Sequence, residues 1–139
     1  MAHYAVLDEN NIVINVITGR EEDDLENLPE NFNSWEQYYS ERMGKRVLRT
    51  SYNTMYNSRL DGGVPFRGNY AGYGFFYSDE LDVFIPPKPH DSWVFDDTIM
   101  DWEAPMPYPE GGALWIWNEE ETCWIKADME TSIGQQESL

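Results

Sequence analysis

Three times between Phe75 and Trp124 the chain sets two aromatic residues two positions apart and a third seven positions later. The sets are Phe75, Tyr77 and Phe84; Trp93, Phe95 and Trp102; and Trp115, Trp117 and Trp124, offset by 18 and then 22 residues. Residues two apart on a strand share a face, and a tight hairpin brings the third aromatic across from the second. The six residues between strands, "SDELDV", "DDTIMD" and "NEEETC", each open with a polar, turn-favouring pair. Each unit therefore reads as one β-hairpin with an aromatic triad on one side. A lone two-stranded hairpin is marginal in water, and a small domain buries only part of its surface. The triads must cover one another or another chain, which predicts a homo-oligomer or a docked state.

Prolines follow the first two units, at Pro86, Pro87 and Pro89 and at Pro105, Pro107 and Pro109. Proline cannot serve a central ladder but suits an extended connector. Because "PPKP" and "PMPYP" recur in register with the hairpins, they read as spacers rather than as ligands for a proline-recognising module.

The N-terminal half has a different character. "HYAVLD", "ENN" and "IVINVIT" predict a hairpin, residues 3–8 with 12–18. Strict alternation puts Ile12, Ile14 and Val16 on one face and Val13, Asn15 and Ile17 on the other. "GREEDDLENLPENFN" is acidic loop. "SWEQYYSERM" predicts a short helix, with Ser34 as cap, Gln37 completing a capping box, and Trp35, Tyr38 and Tyr39 on one face. Gly44 ends it. A strand follows over residues 46–52, within the one basic stretch, Arg42, Lys45, Arg46 and Arg49. "NTMYNSRLDGGVPFRGNYAGYG" holds five glycines and predicts no regular element. It lacks the spacing of a phosphate-binding loop. The expected fold is mainly β with a minor α component. Its expected divisions are residues 1–70 (hairpin, helix, strand and Gly-rich loop), residues 71–126 (three aromatic hairpins) and a polar, partly disordered tail over residues 127–139.

With 26 acids against 9 Lys and Arg, the formal charge is −17. That argues against nucleic acid as a direct partner, because phosphate contacts need cations, and it disfavours an anionic membrane; a basic protein partner is compatible with it. No run approaches the roughly 20 apolar residues of a membrane span, and "AHYAVLDENN" after Met1 has no signal-peptide core. The expectation is a soluble protein made without export. The single Cys123 and the two histidines, His3 and His90, are poor material for a disulfide framework, a zinc site or a nucleophile. The acid pairs at the predicted hairpin tips are solvated, which suits neither glycoside hydrolysis nor more than weak surface calcium binding. No cofactor, metal or catalytic residue is predicted, and the expected protein is not an enzyme.

The strings "MAHYAVLDENNIVINVI", "RTSYNT", "GGVPFRGNYAGYGFFYSDELDVFIPPKP", "SWVFDD", "WEAPMPYP" and "WNEEETCW" together resemble small proteins of marine T4-like tailed phages, the cyanophages especially. The resemblance spans most of residues 1–125 and brings no catalytic residues with it. It implies a virion structural protein, docked on a larger capsid or tail protein as decoration, cement or minor fibre component. The candidate contacts are Phe66, Tyr70 and Tyr73 in the Gly-rich loop and the cations Arg46 and Arg49. The alternative is a carbohydrate- or receptor-binding module of a tail or fibre, with Trp93, Trp115 and Trp117 as stacking platforms.

Overall fold

The computed structural model describes residues 2–59 and 62–127; the predicted tail, apart from Ala127, lies outside the described residues. The fold is mainly β, with one short helix and a series of strand pairs. The chain divides into two compact units, Met1–Pro87 with Phe95–Asp101, and Lys88–Val94 with Trp102–Leu139.

The first unit is organised by β1 (Ala2–Leu7), the central strand between β2 (Val13–Gly19) and β3 (Arg46–Thr50) in an antiparallel sheet. Ala5 pairs with Val16 on one side and Leu48 on the other. Both faces of this sheet are covered, so β1 is buried almost throughout. Helix α1 (Trp35–Met43) takes one face, where Trp35, Tyr38 and Tyr39 meet Tyr4, Val6 and Val47. Ser34 caps the helix and Gly44 ends it as the sequence predicts, but Gln37 reaches back one residue beyond the cap rather than to the Ser34 amide of a capping box. Ser34 Oγ accepts from Gln37 N at 3.1 Å, Gln37 Oε1 accepts from Asn33 N at 2.7 Å, and Gly44 closes it at φ 64°.

The other face holds Ala5, Leu7, Val13 and Leu48, and is covered by Tyr77 and Phe84 of the first aromatic hairpin, β6 (Phe76–Ser78) with β7 (Val83–Ile85). Backbone bonds fasten that hairpin to the start of β2: Val13 N to Phe75 O and Tyr77 N to Asn11 O, each 2.8 Å. The first hairpin thus belongs with the N-terminal sheet, and the compact unit continues to Pro87 rather than closing near residue 70. The reason is apolar complementarity: Tyr77 and Phe84, with Ala71 and Phe75, close over the sheet's second face.

The predicted faces of β2 are corrected. Val13 and Val16 join the hairpin side, while Ile14 and Ile17 join the helix side. An irregularity between Val6 and Leu7, which pair with Asn15 and Val13 respectively, inserts a residue and breaks the strict period of two.

The Gly-rich segment is also more regular than expected. It opens with a minimal hairpin, β4 (Thr54–Met55) and β5 (Ser58–Arg59), turned by Tyr56 and Asn57, both at φ 53°. Two successive left-handed residues define the type I′ turn, a strained choice for a tyrosine. Asn69, 4% exposed, holds it: its side-chain oxygen accepts from Tyr56 N at 2.8 Å, and its Nδ2 donates to the carbonyls of Phe84 and Met100 at 2.9 and 2.7 Å. Gly68 (φ 74°) lies so close to Val83 that a Cβ would approach it to 3.0 Å, and glycine alone fits there.

The repeat read from aromatic spacing extends to the turns. The second hairpin is β8 (Val94–Asp96) with β9 (Asp101–Glu103), and the third is β10 (Trp115–Asn118) with β11 (Cys123–Lys126). Tyr77 faces Phe84 and Trp117 faces Trp124 across their ladders. Asp82, Met100 and Thr122, each five residues after the second aromatic of its unit, are all left-handed, at φ 54°, 53° and 50°. Ser78, Asp96 and Asn118, each directly after that aromatic, cap the turns with side-chain oxygens that accept from the amides of Leu81, Thr98 and Glu121. The hairpins do not merge, and each remains a separate two-stranded sheet.

The second unit is built on indoles. Trp117, 9% exposed, stands edge to face with Trp93 and Trp124, at centroid distances of 6.0 and 5.2 Å. Tyr108 of the second proline connector covers Trp124 at 4.9 Å, and Trp124 Nε1 donates to Met106 O at 2.9 Å. Glu119 joins Ser92 to the third hairpin, accepting from Ser92 Oγ at 2.6 Å and Trp117 Nε1 at 2.8 Å. These bonds hold the Glu119 carboxyl below the usual carboxylate range.

Candidate functional site

The first unit presents an aromatic face around His3. The imidazole stands edge to face against Tyr52 and Tyr70, at 5.4 and 5.6 Å. Tyr52 lines a cleft of about 490 Å³ that Arg49, Asn53 and Phe66 share. Tyr70 lines a smaller one of about 240 Å³ with Met55, Tyr56 and Phe75. Large apolar side chains on the same loops are open to solvent: Tyr52, Met55 and Tyr56 by half or more, Val64 and Tyr73 by 81%.

The face is held by Arg67, which sequence reasoning did not single out. Its guanidinium, 14% exposed, bonds Glu36 Oε2 through Nη1 at 2.6 Å, Asp82 Oδ1 through Nε at 3.0 Å and the Arg49 carbonyl through Nη1 at 2.8 Å. Burial alone would lower its pKa, but the bond to Glu36 and the charges of Glu36 and Asp82 outweigh that and raise it. Arg49 N donates to the same Glu36 oxygen at 2.6 Å, so the Arg49 backbone is clamped at both its amide and its carbonyl. Tyr77 donates to Asp82; burial and this bond push its hydroxyl up to about 12. Arg67 itself is left-handed, at φ 53°, and its carbonyl accepts from Asn69 N and Phe84 N. A signal was present in the sequence, as "FRGN" places a lone cation among glycines. Its acidic partners Glu36 and Asp82 lie 31 and 15 residues away, beyond the reach of local pattern.

Of the predicted contacts, Arg49, Phe66 and Tyr70 come together on this face, and Tyr73 is exposed nearby in sequence. Arg49 stacks on the Phe66 ring at 4.1 Å. Arg46 is differently engaged. It pairs with both Asp79 oxygens, at 2.6 and 3.1 Å, and lies over Tyr77 at 5.0 Å, tying β3 to the first hairpin tip. The bond to Asp79 raises the Arg46 pKa and holds the Asp79 carboxyl low. The tryptophans named as sugar platforms lie in the second unit. Trp93 and Trp117 turn their rings toward one another, and Trp115 is half-buried.

Glu22 adds an acid to the first unit's charge cluster. Its Oε1 is buried with no hydrogen-bond partner among the described residues. Burial first, then the Glu36 charge, raises its pKa, against the opposing pull of Tyr4, Arg49 and Arg67. A carboxyl raised in the folded state contributes stability that is complete below the unfolded pKa of about 4.3 and is lost as pH rises through the folded value. Glu22→Gln is therefore expected to raise the unfolding midpoint at neutral pH and to leave it unchanged near pH 3. Urea melts of both proteins across that range check it, and a gain that persists undiminished in acid would refute the titration account. Among the described residues no cluster of three His, Cys, Asp or Glu side chains could hold a metal ion, and no helix is long and apolar enough to cross a membrane. No protein-family model, curated protein or solved structure matches this chain.

Proposed function

We propose that the protein is a non-enzymatic structural component of a phage virion, docked on a larger capsid or tail protein through the His3 face of its first unit. The observation that carries the reading is Tyr56. This half-exposed aromatic is held left-handed in a two-residue turn by the buried Asn69. Strain of this kind persists only where surrounding structure imposes it, and here its effect is to present an aromatic ring to solvent. Rigid, exposed aromatics are the anchors that dominate protein interfaces. Tyr52, Met55, Val64 and Tyr73 on the same stretch of chain are also exposed, and exposed apolar side chains of this size supply interaction surfaces. The resemblance to cyanophage proteins supplies the particle as partner.

Quantitative mass spectrometry of purified particles tests the role. The protein is expected at a fixed copy number relative to a major structural protein, and its absence from washed particles would sink the reading. The paired substitution Tyr56→Ser and Tyr73→Ser is expected to lower incorporation about tenfold, as for loss of interface anchors, while the fold measured by circular dichroism stays intact.

A further inference from the structure

We infer that the cleft beside Arg49 is a binding site for a sugar acid, one hexuronic ring with its carboxylate on the Arg49 guanidinium. Three features of the cleft converge on that chemistry. The first is an arginine prepared for a ligand. Its backbone is clamped between Glu36 and Arg67 and its guanidinium lies on Phe66 at 4.1 Å; Glu21 lines the same cleft and the Arg49 charge reaches Glu22, but among the described residues no carboxylate forms an ion pair with it. A planar guanidinium fixed on a ring keeps its fork of donors for bidentate recognition of a carboxylate. The second is an open aromatic plate: Tyr52, 60% exposed, lines the same cleft, and its ring suits the apolar face of a pyranose. The third is neutral hydrogen-bonding capacity at Asn53, whose carboxamide has no partner among the described residues, and at Ser51, which lines the cleft beside it. Hydroxyl groups of a sugar would satisfy both; an acidic peptide side chain would leave them unused. A cavity of about 490 Å³ lies within the range of small-ligand sites. The charge of −17 disfavours a polyanion, so the ligand is a single acid unit among neutral sugars rather than a polyuronate run.

Titration of the full chain with glucuronate, followed by protein amide shifts in NMR, tests the site. Saturable binding is expected on the order of 1 mM, the range of a single small ring, with shifts at Tyr52 and Asn53. Arg49→Ala is expected to weaken it at least tenfold, and Arg49→Lys, which keeps the charge but loses the fork, nearly as much. Neutral glucose is expected to bind at least tenfold more weakly. Both variants are to be checked for native amide spectra, since only folded variants report on the site. The inference is overturned if glucuronate does not saturate, if folded Arg49→Ala binds it undiminished, or if glucose or acetate matches it. The cleft shares His3, Tyr52 and Val64 with the proposed docking face, but titration reads it on the free chain and mass spectrometry reads incorporation, so loss of particle association and loss of sugar-acid binding are separate outcomes.

Discussion

Phe84→Ala is expected to destabilise the first unit by about 3–5 kcal/mol, the cost of emptying a fully buried phenylalanine site. Phe84 is 0% exposed and lies between its cross-strand partner Tyr77, at a centroid distance of 5.2 Å, and the sheet residues Ala5, Leu7, Val13 and Leu48. Its backbone bonds to Arg67 and Asn69 do not involve the side chain, so the substitution isolates the cavity. Domains of this size have only about 5–15 kcal/mol in total, and a loss of this order would leave the unit barely folded. Amide exchange over Tyr4–Leu7 reads it directly, because these strand residues exchange slowly only while the sheet's second face stays covered. Trp102 and Trp124 hold the equivalent positions in the later hairpins but are only half-buried; their alanine variants are expected to cost less. Equal protection of Tyr4–Leu7 in Phe84→Ala and the parent would show that the first hairpin is not part of this core.

That inequality among equivalent positions marks what the chain reveals locally and what it does not. Aromatic spacing is a local property, and it predicted hairpins whose facing pairs, caps and left-handed turn residues recur in the structure. The helix was equally legible, because Ser34, Gln37 and Gly44 act within a few residues of one another. What a hairpin packs against is not local. Tyr77 and Phe84 cover β1 because Ala5, Leu7 and Leu48 offer an apolar face, and nothing in the spacing of the aromatics distinguishes that hairpin from the third. The faces of β2 escaped for a related reason, since one irregular pairing opposite Val6 and Leu7 reverses the alternation. Arg49 and Phe66 were legible as exposed-type residues in a basic strand and a loop; their stacking was not. Tyr56 lies in a segment whose glycines predict no regular element, and a tyrosine is a poor candidate for a left-handed turn; the buried Asn69, 13 residues on, holds it in one.

Arg67→Ala should be the most damaging single change on the candidate face, at about 3 kcal/mol, because it leaves the partly buried Glu36 without its cation. The guanidinium satisfies Glu36, Asp82 and the Arg49 carbonyl together. Glu36 also lies close enough to Glu22 to raise its pKa, so removing the cation sets two carboxylates against each other with less compensation. Arg67→Met tests whether packing or charge matters. It restores apolar bulk beside Phe66, over which the Arg67 guanidinium lies at 4.9 Å, but leaves Glu36 equally unpaired. Methionine is therefore expected to recover only a minor part of the loss. A double-mutant cycle with Glu36→Gln measures the pair itself. The coupling is expected to be favourable by more than the 0–1 kcal/mol typical of exposed ion pairs, since Arg67 is 14% and Glu36 25% exposed at their side chains. Coupling near zero, with alanine and methionine equally tolerated, would mean that the loop holds its shape through Asn69 and the glycines alone. Coupling of the expected size would make Arg67 the residue that converts a glycine-rich loop into a fixed surface, and would explain how Arg49 and Phe66 meet there at 4.1 Å.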